Sequence, residues 1–106
     1  MSFVKVADLN GKEFIPGFVG RVVHNTTMTQ VFWDVAEGAV APEHTHQHEQ
    51  FANVLEGEFD FNLAGETRVL RPGDVAVIPA DVPHGGRAVT ACRLLDVFCP
   101  TRDDLK

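Results

Sequence analysis

Three of the five histidines in this chain lie within five residues, at His44, His46 and His48. Side chains two residues apart project from the same face of an extended chain, so two such imidazoles can bind one metal ion. Gln50 has the same parity. Taken alone, the segment 43–50 also fits a solvent-exposed histidine tract that binds nothing.

A fourth histidine, His84, lies in the segment 78–86, IPADVPHGG. Two prolines restrict the backbone before it, and we expect Gly85 and Gly86 to take unusual backbone angles after it. An isolated loop histidine is usually a surface residue, but the upstream cluster makes His84 a candidate distant ligand. Imidazole-rich sites suit Zn, Ni, Cu and Fe, and Mn is also accommodated.

Short strands must position these residues, because Val and Phe together number 23 whereas Leu and Ile number 9. Val and Phe favour the pleated, half-buried surface of a sheet. Glycine-containing turns recur along the chain, and no long segment has the periodicity of a helix. The sequence therefore predicts an all-β domain of about eight to ten strands, with a short turn near 101–105 and strands that include 27–35, 50–55, 59–63, 67–70, 75–78 and 93–98.

Length and charge exclude several classes of protein. At 106 residues and 11.6 kDa, we expect a single domain over residues 1–106. A net charge of −6 argues against a nucleic-acid partner. Apolar runs are too short for a membrane span, and without an N-terminal apolar segment we expect a cytoplasmic protein. Cys92 and Cys99 are seven residues apart, so on one strand they face opposite ways and do not form a disulfide.

Asp96 interrupts a nearly apolar segment near the end of the chain, and it shares its parity with Leu94 and Phe98. A carboxylate on a buried strand is costly unless it is paired or lies near a metal. One interpretation is a structural ion pair with Arg102. The other is a general acid/base that faces a cavity, with its pKa set by desolvation and neighbouring cations.

Two segments in register resemble the motifs of the cupin family. The first runs from Gly38 to Gly57 as G-x5-H-x-H-x3-Q-x6-G, with Gln50 where the commonest form has Glu. The second is G-x5-P-x-D-x2-H from Gly73 to His84, with Asp81 in place of the usual Gly and Ala88 in place of Asn. The resemblance implies a double-stranded β-helix barrel of the jelly-roll type, in which one divalent metal ion is bound by His44, His46, Gln50 and His84. His48 falls between motif positions, which makes it a neighbouring or surface residue.

The tail 95–105, LDVFCPTRDDL, resembles the C-terminal signature of the pectin-degradation (KdgF-type) small cupins at Asp96, Phe98 and Arg102. Thr101 stands where that family has Pro. The resemblance implies conversion of cyclic 4,5-unsaturated monouronates to linear 5-keto-4-deoxyuronate, with a small sugar acid as partner. In that scheme Asp96 moves a proton, Arg102 pairs with the substrate carboxylate, and Phe98 packs against the sugar. The resemblance also implies a homodimer.

Two other functions remain open from the sequence. One is a cupin dioxygenase that uses Fe or Cu with O2, which the histidines fit equally well but the Asp96 and Arg102 pair does not favour. The other is a non-catalytic module that binds a sugar or a metal. The neutral amide of Gln50 leaves a bound ion its full charge, which favours Lewis-acid chemistry over a high-valent metal.

Overall fold

The computed structural model describes residues 2–105 and is built almost wholly of antiparallel strands. Two short 3-10 helices, Val6–Asp8 and Asp103–Leu105, lie near the two ends. The ten strands are β1 Lys12–Ile15, β2 Phe18–His24, β3 Thr29–Val35, β4 Val40–His44, β5 Glu49–Glu56, β6 Phe59–Leu63, β7 Glu66–Leu70, β8 Val75–Ile78, β9 His84–Ala88 and β10 Cys92–Cys99. The predicted all-β fold is confirmed.

Two sheets pack face to face and form the barrel. The larger has the strand order β1-β2-β3-β10-β5-β8, and the smaller has the order β4-β9-β6-β7. The main core cluster draws Phe18 and Val54 from the first sheet, and Phe59 and Ala88 from the second. Apolar side chains from the two inner faces therefore enclose the barrel interior, as expected for packed sheets.

Alternate residues of β5 differ in burial. On β5, Gln50, Ala52 and Val54 are buried, whereas Phe51 and Leu55 are exposed. Residues 50–55 are mainly apolar on both faces, as expected for a strand between two layers, yet the outer face of β5 is exposed. On the neighbouring β8, Val75 and Val77 are also exposed, so the outer surface of the larger sheet is apolar here.

The predicted strands 27–35 and 93–98 correspond to β3 and β10. The predicted start of β3 at residue 27 is two residues early, because the Asn25 side chain accepts hydrogen bonds from the amides of Thr27 and Met28 and forms a turn. Cys92 and Cys99 begin and end β10, and both are free, as expected. Within residues 2–105, no helix is long and apolar enough to cross a bilayer.

Gly85 and Gly86 serve the fold differently from the prediction. Neither has a positive φ, and both lie within β9, so the expectation of unusual backbone angles was wrong. A Cβ atom on Gly86 would lie 2.4 Å from the Asp60 carbonyl oxygen, and one on Gly85 would lie 2.8 Å from that of Ala41. These glycines let β9 fit closely between β4 and β6. The residue with φ of 64° is Asp81, in the preceding turn.

Candidate metal centre and adjoining cavity

Three histidines from separate segments meet at one end of the barrel. His44 ends β4, His46 lies in the connection to β5, and His84 begins β9. His44 and His84 are register partners across β4 and β9. Each of the three offers one ligand atom, and these atoms all lie within 4.8 Å of one another. The folded chain thus brings together the three histidines that the sequence singled out as ligands.

Backbone carbonyls fix the orientation of all three rings. The Nδ1 atoms of His44, His46 and His84 each lie 2.9 Å from a carbonyl oxygen, of Pro42, His48 and Val82 respectively. A carbonyl only accepts, so each Nδ1 donates, and Nε2 is the atom that a neutral ring offers to a metal. This is the arrangement that holds imidazole ligands in place for a metal.

The buried Nε2 of His84 has no hydrogen-bond partner among the described residues. Burial lowers the pKa of this imidazole to about 4, and it also lowers the pKa of His46. Both rings are therefore neutral near pH 7, which is the state that binds a metal ion. An unpaired lone pair in a buried position costs free energy unless a ligand meets it.

Gln50 is the candidate fourth donor. Its side chain is 6% exposed, and its Oε1 lies 3.0 Å from the Nε2 of His46. Gln50 also hydrogen-bonds the Asp96 carboxylate, which accepts, so the amide N–H faces Asp96 and Oε1 faces His46. Gln50 Oε1 and the Nε2 of a neutral His46 both present lone pairs, so this short distance is stable only with a proton or a cation beside them. Three imidazole nitrogens and an amide oxygen fit a divalent transition metal.

His48 lies outside this cluster. The chain bends through residues 47–48 after β4 ends, so the shared parity expected along the segment does not hold for this residue. Its contribution is its backbone carbonyl, which orients His46. A second backbone contact, from the Asp81 amide to the His46 carbonyl at 2.8 Å, ties the loop before His84 to the same segment.

A cavity of about 360 Å³ adjoins the histidine cluster. One part of its wall is polar and the remainder is aromatic and aliphatic. Its polar residues are His44, Gln50, Asn53, His84, Asp96 and Arg102, and its larger apolar residues include Phe14, Phe18, Trp33, Phe59, Phe61, Leu94 and Phe98. His44, Gln50 and His84 therefore line the same cavity as Asp96 and Arg102. His46 lies beside it, in contact with His84 and Gln50.

Asp96 lies in the middle of β10 and is held by two donors. Trp33 Nε1 donates to its Oδ2 at 2.9 Å, and Gln50 donates from the other side. Desolvation raises the pKa of Asp96 to about 6, against the opposing effect of these hydrogen bonds and of the charge of Arg102. The sequence did not single out Trp33, although the only tryptophan shares the inward parity of β3 with Val31 and Val35.

Arg102 is paired with Asp104 and not with Asp96. Its Nε and Nη2 donate to the two carboxylate oxygens of Asp104 at 2.9 and 2.7 Å. Its guanidinium carbon lies 4.7 Å from the centre of the Phe98 ring, a cation–π contact. The structural ion pair considered for Asp96 is therefore wrong. The sequence did not single out Asp104, since acidic residues in a polar tail carry no signal of a partner.

The positive charge of Arg102 acts on the whole cavity. It contributes to the lowered pKa of His46 and His84 and opposes the raised pKa of Asp96. Its side chain is 15% exposed, so water screens this charge only in part. Arg102 thus places a cationic side chain in the same cavity wall as Asp96, while Asp104 pairs with its guanidinium.

Comparisons with known proteins agree with this geometry. The cupin domain family matches residues 31–98. KdgF from a Halomonas species is 32% identical, with a TM-score of 0.95 over 100% of this chain and 99% of that one. An RmlC-like cupin from Shewanella frigidimarina is 30% identical, with a TM-score of 0.95 over 100% of this chain and 96% of that one.

The pectin degradation protein KdgF of Dickeya dadantii is 35% identical over 71 residues. That alignment spans 65% of this chain and 64% of the Dickeya protein. The family match covers more than half of the chain, and it includes all four residues of the candidate metal centre. The two motifs, the antiparallel barrel and the domain match lead to one conclusion: the chain belongs to the cupin family.

Proposed function

We propose that this cupin converts cyclic 4,5-unsaturated monouronates to linear 5-keto-4-deoxyuronate in pectin or alginate breakdown. The observation that carries the proposal is that two of the three clustered histidines line one cavity together with Asp96 and Arg102. The names of the Halomonas and Dickeya relatives support the same role in pectin degradation.

The size and charge of the cavity suit a small anion. A volume of about 360 Å³ lies at the lower end of the range for ligand sites, which accommodates a monosaccharide better than an oligosaccharide. Arg102 and a metal ion at the histidines would offset the negative charge of a sugar acid. The apolar wall would face the unsaturated and deoxygenated part of the ring, which has fewer hydroxyl groups to satisfy.

A divalent metal ion held by His44, His46, Gln50 and His84 would act as a Lewis acid toward a substrate oxygen. Asp96 is the residue we assign to proton transfer. Asp96 would donate a proton to C4, and water would add at C5 and return a proton to the carboxylate, which yields a hemiketal. Transfer of the hemiketal hydroxyl proton to the ring oxygen then breaks the bond from C5 to that oxygen and leaves the 5-ketone and a hydroxyl on C1. A carboxyl group with pKa near 6 is suited to both proton donation and proton acceptance near neutral pH.

Arg102 is the residue we assign to the substrate carboxylate. Asp104 occupies its Nε and Nη2, so the carboxylate would contact the guanidinium on the Nη1 side. Phe98 lies under the guanidinium and lines the cavity, so it would contact the sugar and also hold Arg102 in plane.

The test is turnover of an unsaturated monouronate by the metal-loaded protein. Loss of the ultraviolet absorbance of the conjugated C4–C5 double bond should be much faster than without protein, and NMR should identify the 5-keto product. Arg102→Lys should raise KM, whereas Arg87→Lys, an exposed residue on β9, is the matched control. Turnover no faster than the spontaneous reaction would contradict the proposal.

Two further measurements on the metal-loaded protein distinguish the other two functions. Oxygen consumption with bound Fe or Cu on an aromatic substrate would favour a dioxygenase. Tight binding of a uronate without any turnover would favour a sugar-binding module.

The homodimer stays a prediction. The outward side chains of Leu95 and Val97 on β10 continue the apolar outer surface formed by Phe51, Val75 and Val77. Contact between two copies would cover this surface. Sedimentation of the purified protein measures whether it is a dimer.

A further inference from the structure

The segment that carries Arg102 is fastened to the turn between β2 and β3. The backbone N–H of Arg102 donates to Thr29 Oγ1 at 2.9 Å. One residue earlier, Thr101 Oγ1 donates to the Asn25 carbonyl at 3.2 Å. Arg102 follows the end of β10 by three residues, so its direction depends on these attachments as well as on the strand.

Thr29 is fully buried, with 0% exposure, although its hydroxyl is polar. Its Oγ1 also lies 2.8 Å from His24 Nδ1. Since the oxygen accepts the Arg102 N–H, its own proton is free to be donated to His24 Nδ1. The hydroxyl thus contacts both His24 and Arg102, and the His24 contact restrains the orientation in which it faces Arg102.

Arg102 is consequently held at three places. Thr29 holds its backbone N–H, Asp104 holds one edge of its guanidinium, and Phe98 lies against the guanidinium face. Thr29 is also the register partner of Phe98 on β10, so one position of β3 supports both residues. Side chains fixed before binding lose less entropy when a ligand arrives.

We propose that Thr29, oriented by His24, is a positioning residue for Arg102 and thereby for recognition of the substrate carboxylate. The inference rests on the proposed function for its kinetic consequence. The placement of Arg102 by Thr29 is a separate property that does not require turnover.

The test compares Thr29→Val, which keeps the shape but removes the hydroxyl, with Thr29→Ser, which keeps the hydroxyl. In the metal-loaded protein, we expect Thr29→Val to raise KM for the monouronate about three- to tenfold, with kcat and metal content nearly unchanged. Thr29→Ser should stay close to the wild type. In the Arg102→Met background, Thr29→Val should have little further effect on KM, because coupled residues are not additive.

An NMR measurement on the Zn-loaded protein separates this inference from the proposed function. The Arg102 Nε–H paired with Asp104 should give a protected signal in the wild type and in Thr29→Ser, and should lose protection in Thr29→Val. This result, with no turnover by the wild type, would contradict the proposed function and support the positioning role. An unchanged signal together with an unchanged KM would overturn the positioning role of Thr29.

A second variant covers the case in which Thr29→Val does not fold. Thr101→Val removes the neighbouring attachment at a partly exposed position. A smaller rise in KM and a partial loss of Arg102 Nε–H protection are expected. No change in either measurement would overturn the proposal that these attachments place Arg102.

Discussion

Replacing Asp96 by Asn should abolish turnover while leaving the fold nearly as stable as before. Burial raises the pKa of the carboxyl to about 6 from 3.8, so the ionised carboxylate costs about 3 kcal/mol more in the folded protein than in the unfolded chain. Asn removes that cost. It also replaces one accepting oxygen by an NH2 group that faces a donor, either Trp33 or Gln50, which costs about 1–3 kcal/mol.

These two effects oppose each other, so the free energy of unfolding should change by at most about 2 kcal/mol and Tm by less than about 10 °C. The rate should fall by about a hundredfold to ten-thousandfold, which is the usual contribution of a general acid/base. The assay follows ultraviolet loss of the unsaturated monouronate, with metal content and Tm measured on the same sample.

The pH dependence of folding stability is an independent test of the raised pKa of Asp96. A raised carboxyl pKa means that the folded, metal-free protein binds more protons than the unfolded chain between about pH 4 and 6. Asp96 therefore adds stability below this range and loses it as pH rises through 6. The stability of Asp96→Asn relative to the wild type should increase over the same interval. His84 titrates in this range in both proteins, so the difference isolates Asp96.

The matched control is Asp60→Asn, the same chemical change on β6 at a position that alternates with the cavity-lining Phe59 and Phe61. It should leave both rate and Tm unchanged. If Asp96→Asn instead lowers stability by 3–5 kcal/mol and the folded fraction turns over normally, then Asp96 is a structural charge and the reasoning is refuted.

Three further outcomes test the site and the assembly. His44→Ala combined with His46→Ala should reduce the metal content from about one ion per chain to none, as measured by elemental analysis of untagged protein. The control His48→Ala should retain the ion. Full occupancy in the double variant would contradict the assigned ligands. Gln50→Glu should keep or tighten metal binding but lower turnover, because the added negative charge weakens Lewis acidity; unchanged turnover would place Gln50 outside the metal's ligands. Val77→Lys, on the exposed apolar surface of β8, should convert a dimer to monomers in sedimentation without loss of fold; an unchanged dimer would place the interface elsewhere.

Local pattern was sufficient to predict the fold class and the histidines that the fold brings together. Residues 59–63 alternate between apolar and polar side chains and form the predicted strand, and His44 and His84 sit in motifs whose spacing is characteristic of the family. The pattern failed where backbone crowding decides. Gly85 and Gly86 are needed for space between β4 and β6, and that requirement comes from strands distant in sequence.

The sequence by itself determined an all-β chain with clustered imidazoles and one acid in an apolar strand, because residue type and parity are local properties. Only the tertiary structure decided the partners. Asp96 is bound by Trp33 and Gln50, and Arg102 by Asp104 and Thr29. The distance from Trp33 to Asp96 is 63 residues along the chain and 2.9 Å in space. Such contacts depend on how the two sheets close around the cavity, which no local spacing encodes.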